Sequence, residues 1–581
     1  MDHPLLLGVV SIPVFWAWGS VQARVWWNII ELMMARNLLR GCGLVAAPLD
    51  PPALWRPFLG VFLCAGAEVF TSDPFTVYAV VYTVSLTLFL LTMFYTARLV
   101  WGPAAGHLTS IFLLTNGAVT ARLVNHVQSF SHLAFLFALG PALLLTVQAT
   151  QRMARLGAFT VGLAWGLVYL ARWETLPFFL ITLAVLGFSP SIRGRRPLAL
   201  VQATAGFCVV FAPLGVYQHW VKTRYGIWGP SAITTFYAAE AWVHGDGNED
   251  AGFAQSVRKY GTLDENHFSL LRAIGRNPRE FADRLHLNVP RFLSLFTNRA
   301  FLDPLWLIGL AAFFVDRDWS RKHLLIVCWL VLLFLWSTTV CAFEIDSRYL
   351  TIALPSILLL SCGGLSRLLN KANLIIRRKT IITVTVAVLL LLRGATFAYA
   401  QWSATKADPA RLRGARDVAF ARKLAAHFDR VAPPNKPAAV MISHNTDMFL
   451  ISYFAGTAIC WKTPGLYPRD KIFSWSPRDP DYVYVTSDVL LSTDLLLRTR
   501  PIGKFSDSSR TYYLLPTPWR PFNPFSAARR DGSQPNFATP WRLFDYGQQA
   551  TFSELEATVG RDDPSLWSEL LETDAGRTHS H

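Results

Sequence analysis

The chain has 581 residues, of which 52% are hydrophobic, 13% aromatic and only 16% charged. A typical soluble protein carries about 25% charged residues, and here the apolar residues come in long uncharged blocks. This pattern excludes a disordered chain, a collagen-like fibre, a disulfide-stapled secreted scaffold and a single soluble core. It predicts a polytopic membrane protein.

The net charge of +16 does not indicate nucleic acid. Many Lys and Arg residues sit in short clusters between apolar blocks, as the positive-inside rule expects of cytoplasmic loops, and a basic face with interleaved aromatics is absent. The seven cysteines form no CxxC pair, so the sequence predicts neither a zinc site nor a disulfide framework. We therefore expect no nucleic-acid partner, no metal and no cofactor.

Membrane spans are predicted from uncharged runs, since a helix needs about 20 apolar residues to cross the hydrocarbon. The amino terminus has an acidic start and no small-residue cleavage site, so it reads as a first membrane helix. In all, the sequence predicts about eleven transmembrane helices, at 4–22, 74–97, 104–121, 130–150, 157–171, 175–190, 197–220, 301–315, 324–343, 349–366 and 380–400.

Residues 54–70 are also apolar, and loop charge decides whether they cross. If they lie in the interface, the basic clusters from Arg98 to Lys379 fall in cytoplasmic loops, so this interpretation is preferred. It puts residues 23–73, residues 221–300 and everything after residue 400 outside the cytoplasm. Residues 24–41 have apolar positions at helical spacing and a Trp pair, which predicts a second interfacial helix; a helix packed on the bundle without a functional role is the alternative.

Composition changes after residue 400. Residues 410–430 are typical of a surface helix, and short strand-like runs follow, broken by Pro, Gly and Asp turns: PAAVMISHN, TAICWK, DYVYVTS and RTYYLLP. We expect residues 1–400 to form the membrane domain. Residues 401–581 are predicted to form a small extracytoplasmic α/β domain with a Trp/Pro-rich tail.

The order of segments in residues 5–400 is similar to that of a known class of membrane enzymes. The first span is followed by ELMMARNLLRGCGL, PPALWRPFLGVFL, YTARLVWGPAAGHLTSIFLLTNGAV, NHVQSFSHLAFLFAL and GLAWGLVYLARWETLPFF, and later by LLRAIGRNPREFADRLHLNVPRFLSLF and DSRYLTIALPSILLLSCGGL. The series resembles the GT-C class of integral-membrane glycosyltransferases. Within that class it is most similar to bacterial relatives of protein O-mannosyltransferases and aminoarabinose transferases.

The resemblance implies a transferase in a bacterial inner or plasma membrane, with the C-terminal domain outside. Such an enzyme moves a hexosyl or pentosyl group from a polyprenyl-phosphate-linked donor to a lipid, glycan or protein acceptor at the outer leaflet. Its site needs a groove for the prenyl tail among the membrane lipids, cations for the phosphate and a carboxylate base. A transporter or flippase of a lipid-linked glycan and a non-catalytic membrane scaffold remain as alternatives.

The catalytic base is sought in the first outer loop. Members of the class usually carry an Asp-led acidic pair there, but Trp27 and Asn28 occupy that place in this chain. The nearest carboxylates are Glu31, one turn later, and Asp50, before the Pro pair. Either residue is a candidate base, and the absence of a base in this loop stays open.

Six further residues are candidates for substrate binding: Arg172, Glu174, Arg348, Asp346, Tyr349 and His126. Tyr349 begins the late span beside Arg348. Arg172 and Glu174 lie where two short spans meet, and an intramembrane charge pair is a functional hypothesis by default; a structural ion pair is the alternative. Arg348 suits a lipid phosphate because its guanidinium pairs bidentately, although it also fits a helix-end Arg paired with Asp346. His126, like His132, flanks the outer start of a span, where an interfacial polar residue is the commoner role.

The outer loop at 221–300 contains the acidic stretch AEAWVHGDGNEDAGF. Its calcium-loop spacing is superficial, and a solvated acidic loop explains it better. In the class that the sequence resembles, this loop would cover the donor site.

Overall fold

The computed structural model of the chain describes residues 4–23, 30–41, 43–45, 57–115, 130–151, 157–190, 194–225, 258–261, 265–266, 269–297, 311, 320–343 and 350–371. Toward the C-terminus it describes residues 422–423, 425–426, 439–442, 453–454, 459–462, 471–472, 482–486, 503–507, 510–515 and 544–545. The chain divides into two compact units. The first comprises residues 1–31, 54–220 and 274–412, and the second comprises residues 32–53, 221–273 and 413–581.

Helices make up most of the described chain. The first nine are α1 (Pro4–Ala23), α2 (Ile30–Leu39), α3 (Phe58–Glu68), α4 (Pro74–Trp101), α5 (Pro103–Thr115), α6 (Phe130–Gln151), α7 (Gly157–Ala171), α8 (Leu176–Phe188) and α9 (Arg196–Tyr225). The remaining four are α10 (Leu270–Arg276), α11 (Pro278–Thr297), α12 (Arg321–Phe343) and α13 (Leu350–Lys371).

The bounds of α4 follow from its flanking residues. The Asp73 carboxylate caps the helix by accepting hydrogen bonds from the Thr76 amide at 2.9 Å and from the Thr76 hydroxyl at 2.8 Å. Pro74 occupies the first turn, where its missing N–H costs nothing. At the other end Gly102 adopts a φ of 95°, which ends the helix, and α5 begins at the next residue.

Three described helices are long and apolar enough to cross a bilayer: Pro74–Trp101, Phe130–Gln151 and Arg196–Val221. They coincide with three predicted spans and, with the shorter apolar helices, indicate an integral membrane protein. Helices also lie within the other predicted spans, except that 301–315 and 380–400 fall almost wholly outside the described residues. The total of about eleven spans therefore stays a prediction.

Several hydroxyl side chains within the apolar helices of the first unit are satisfied locally. Thr83, Thr96 and Ser337 each donate to the backbone carbonyl four residues earlier at 2.7 Å. Such bonds hide the hydroxyl from a surrounding that offers no water.

Two indoles use such threonines to join neighbouring helices. Trp165 Nε1 on α7 donates to Thr146 Oγ1 on α6 at 3.0 Å, and Thr146 donates in turn to the Ala142 carbonyl at 2.7 Å. In the same way Trp329 Nε1 on α12 donates to Thr182 Oγ1 on α8 at 3.1 Å. These buried bonds fix how α6, α7, α8 and α12 pack.

Helices α7 and α9 approach each other closely because small residues face across the contact. A Cβ atom added at Gly162 would overlap the Ala203 carbonyl oxygen, and one added at Gly206 would overlap the Phe159 carbonyl oxygen. Small residues at such positions let two backbones pack directly, as is common between membrane helices. The opposite side of α9 exposes apolar side chains: Leu198, Val201, Val209 and Val216.

The second unit contains a five-stranded mixed sheet with the order β2-β1-β4-β6-β5. Its strands are β1 (Ala439–Ile442), β2 (Ile459–Lys462), β4 (Tyr482–Thr486), β5 (Gly503–Asp507) and β6 (Arg510–Leu515), and β3 (Lys471–Ile472) pairs with β7 (Phe544–Asp545). Strand β1 pairs in parallel with β2 and β4, while β6 pairs antiparallel with β4 and β5. Each of the four sequence runs predicted as strands contains one of these strands.

Most of α2 also belongs to the second unit, where two arginines cover two adjacent rings. The Arg36 guanidinium lies 4.4 Å from the centre of the Tyr453 ring, and the Arg422 guanidinium lies 4.8 Å from that of Phe454. Tyr453 is only 1% exposed. These cation–π contacts join segments that are far apart in the sequence.

Candidate functional site

A short turn between α7 and α8 presents the predicted charge pair. Arg172 follows α7 with an extended backbone, and a 3-10 turn over Trp173–Thr175 leads into α8. The Thr175 hydroxyl donates to the Arg172 carbonyl at 2.6 Å, which closes the turn. Local chain chemistry therefore holds Arg172 and Glu174 two residues apart at the same helix junction.

Arg172 is buried and forms an ion pair with Glu174. Its Nε and Nη2 atoms both contact Glu174 Oε1, and the two side chains are 8% and 28% exposed. A guanidinium out of water needs such partners, because burying an uncompensated charge costs several kcal/mol, roughly 3–5 when one partner of a pair is removed. The structure thus brings together two residues that the sequence predicted as a pair.

A third side chain completes this group. Arg172 Nη1 lies 2.9 Å from Nε2 of His132, which is 7% exposed in the first turn of α6. A guanidinium has only donors, so the imidazole nitrogen accepts and the ring carries its proton on Nδ1. The sequence places His132, like His126, at the outer start of a span, but it did not select His132 as a site residue because an interfacial polar residue is the commoner role there.

The turn is braced from two sides. Trp336 Nε1 on α12 donates to the Glu174 carbonyl at 3.1 Å. The Trp173 ring meets Phe58 on α3 edge-to-face, with ring centres 5.6 Å apart, and meets Tyr169 in the same manner at 5.4 Å. These contacts fix the backbone that carries the ion pair.

Helix α3 packs against the start of α6 beside this group. A Cβ atom at Gly60 would lie 3.1 Å from the carbonyl carbon of Phe130 and 3.1 Å from the backbone nitrogen of Ser131. Ser131 is the residue directly before His132. A Cβ atom there would require the α6 backbone to shift by a few tenths of an ångström. Gly60 therefore determines how closely α3 lies to the histidine.

The candidate base Glu31 is also associated with α3. Its side chain is completely buried in the first turn of α2. Burial raises the pKa of the Cys64 thiol well above its usual value, and the nearby carboxylates of Glu31 and Glu68 raise it further. Cys64 lies one turn after Gly60, so the neighbourhood of Glu31 and the packing contact with α6 occupy one face of α3.

The other predicted site residues lie outside the described residues: Asp50, His126, Asp346, Arg348 and Tyr349. Among the described residues, the structure brings together Arg172, Glu174 and His132, and it buries Glu31 near Cys64. In the part of the chain that the structure describes, no three His, Cys, Asp or Glu side chains are placed to hold a metal ion.

The arrangement around Arg172 is suited to binding an anion. Two N–H groups on one edge of the guanidinium meet a single carboxylate oxygen, while the other edge rests on a neutral imidazole. An oxyanion such as a phosphate offers the same kind of acceptor as the carboxylate and pairs well with planar guanidinium donors.

No protein-family model and no curated protein matches this chain. Among solved structures, ArnT from Cupriavidus metallidurans bound to undecaprenyl phosphate matches 88% of this chain and 97% of its own, at 13% identity and a TM-score of 0.49. Its apo state matches over the same shares at 14% identity and a TM-score of 0.49. The oligosaccharyltransferase AglB from Archaeoglobus fulgidus, in complex with an inhibitory peptide and a dolichol-phosphate, matches 90% of this chain and 74% of its own, at 14% identity and a TM-score of 0.44.

These are similarities to solved structures only, at low sequence identity. With identities of 14% or less and TM-scores below 0.5, they leave the reaction, the donor and the acceptor to be proposed from the residues of this chain.

Proposed function

We propose that this chain is a membrane glycosyltransferase that moves a hexosyl or pentosyl group from a polyprenyl-phosphate carrier to a lipid, glycan or protein acceptor. The reaction takes place on the outer face of a bacterial inner membrane, where the C-terminal domain also lies. The observation that carries the proposal is the buried Arg172, held between Glu174 and His132 at a helix junction.

In the proposed reaction the acceptor hydroxyl loses its proton to the Glu31 carboxylate. The acceptor oxygen forms a bond to the anomeric carbon, and the bond from that carbon to the phosphate oxygen breaks. The electron pair leaves with the polyprenyl phosphate, whose charge Arg172 stabilises. A single displacement of this kind inverts the configuration at the anomeric carbon.

Each residue has a physical reason for its role. A buried cation interacts more strongly with a developing phosphate charge than an exposed one, because water does not screen it. Glu31 is completely buried, so the acceptor reaches it only when this neighbourhood opens. Asp50 remains the alternative base, and Arg348 with Asp346, Tyr349 and His126 is proposed as a further part of the phosphate site.

The proposal is tested by lipid binding, since binding needs no acceptor. The purified protein in nanodiscs is titrated with undecaprenyl phosphate, the leaving group of the reaction, and with undecaprenol as the neutral control. We expect stabilisation by the phosphate alone, of about 2.7 kcal/mol at a hundredfold excess over Kd.

Matched variants then locate the site. Arg172→Gln should abolish the preference for phosphate, and Arg172→Lys should keep part of it, since Lys retains the charge without the planar donor pair. Arg195→Gln removes the same charge from an exposed residue and should change nothing. Glu31→Gln should retain binding. Equal stabilisation of the native protein by phosphate and alcohol would refute the proposed function.

A further inference from the structure

Glu174 and His132, which both contact Arg172, differ in how easily they can be replaced. Glu174 is 28% exposed and lies on a three-residue turn, so its carboxylate has room to move away from Arg172. His132 is 7% exposed and belongs to the first turn of the long helix α6, so its ring is held in place. The two contacts also occupy different edges of the guanidinium.

The edge that Glu174 occupies is the one suited to phosphate. Nε and Nη2 point in the same direction and form the pair of donors that binds oxyanions bidentately. In this structure both contact the Glu174 carboxylate, so an incoming phosphate has to displace it. The Nη1 contact to His132 lies on another part of the group and need not break.

The geometry points to an exchange at Arg172, an inference that rests on the proposed function. Glu174 is a placeholder that neutralises the guanidinium while the site is empty and competes with the lipid phosphate for the Nε/Nη2 edge. His132 is a positioning residue that holds Nη1 in both states. The neutral ring with its proton on Nδ1 is required, since an imidazolium would present a donor to a donor.

This exchange predicts opposite effects of the two partners on phosphate binding. Glu174→Gln keeps a hydrogen-bond acceptor but removes the competing charge, so the affinity for undecaprenyl phosphate should rise about tenfold. His132→Leu removes the support of Nη1, so the affinity should fall about tenfold. A merely structural ion network would lose affinity in both variants.

The test measures Kd for undecaprenyl phosphate and undecaprenol in nanodiscs for the native chain and each variant. His132→Gln, whose side-chain oxygen can accept from Nη1, should recover most of the loss in His132→Leu. His219→Leu, at an exposed histidine on α9, is the control and should match the native protein. Each variant is used only if it elutes as a folded, monodisperse protein, and Glu174→Ala replaces Glu174→Gln if the latter does not.

The outcomes separate the two proposals. If the native protein does not distinguish phosphate from alcohol, the proposed function fails. If the native protein prefers phosphate but removal of the Glu174 charge lowers the affinity, the exchange is wrong while the proposed function stands. If His132→Gln binds undecaprenyl phosphate no more tightly than His132→Leu, the positioning role of His132 is wrong, while the exchange at Glu174 and the proposed function are unaffected.

Discussion

Replacing Thr146 with Val tests whether the indole–threonine bonds hold the helices of the first unit together. The substitution keeps the branched shape of the side chain and removes only the hydroxyl. Trp165 Nε1, which donates to that hydroxyl at 3.0 Å, then loses its acceptor. Thr146 is 0% exposed and Trp165 is 1% exposed, so water has no access to replace it.

The size of the effect follows from this burial. Hydrogen bonds between membrane helices contribute about 0.6 kcal/mol on average and up to about 1.7, whereas a buried donor left unsatisfied costs about 1–3 kcal/mol. We expect Thr146→Val to lower the free energy of unfolding by about 1–2 kcal/mol, toward the upper part of the membrane range.

Thr83→Val is the matched control. The Thr83 side chain is 6% exposed and donates only to the Ala79 carbonyl of its own helix. Such a local bond contributes little, so the loss should stay below about 0.5 kcal/mol. The comparison removes the general effect of exchanging a buried hydroxyl for a methyl group.

The assay is reversible unfolding in mixed micelles with increasing sodium dodecyl sulfate, followed by fluorescence. A double-mutant cycle with Trp165→Phe isolates the bond, and the chain's 21 tryptophans keep the signal usable when one is lost. Thr146→Val should cost almost nothing once Trp165 is Phe. A coupling energy near zero, or an equal loss in Thr83→Val, would refute the reasoning.

Two further predictions concern α3. Gly60→Ala should weaken undecaprenyl phosphate binding and lower the free energy of unfolding by about 1–3 kcal/mol, because the added methyl group meets the α6 backbone. Gly66→Ala is the control: nothing lies within 4 Å of the added methyl group, so stability in the detergent titration should be unchanged or slightly higher. Equal losses in the two variants would contradict the packing argument. In a variant that keeps Cys64 as its single cysteine, Cys64 should react with a maleimide at pH 8 much more slowly in the folded protein than after unfolding in sodium dodecyl sulfate, because burial and a raised pKa leave little thiolate. Comparable rates would show that the Cys64 site is open.

Local chemistry accounts for the parts of the fold that the sequence predicted well. The uncharged run at 157–171 became α7 with the same bounds, because turn and charged residues delimit it on both sides. The strand at Arg510–Leu515 likewise lies in a short run rich in residues that favour strands, Thr511, Tyr512 and Tyr513, with Pro516 directly after it. Arg172 and Glu174 were recognisable as a pair because only Trp173 lies between them.

Contacts between distant residues were not predictable in this way. The partner of Trp165 is 19 residues away and that of Trp329 is 147 residues away, and no pattern in either helix specifies the register. His132 lies 40 residues from Arg172, so its role emerges only when α6 and the turn after α7 are placed together. Burial of Glu31 is likewise a tertiary property.

The contact between Arg36 and Tyr453 in the second unit joins segments that are synthesised at very different times. Arg36 leaves the ribosome long before its ring partner Tyr453 exists. Roughly 400 residues separate them, so at about 5–20 residues per second α2 waits some 20–80 s for this contact. During that interval α2 must contact something other than its partners in the folded second unit. Because α2 is predicted to be an interfacial helix, it can bind among the lipid headgroups until the C-terminal residues have been synthesised.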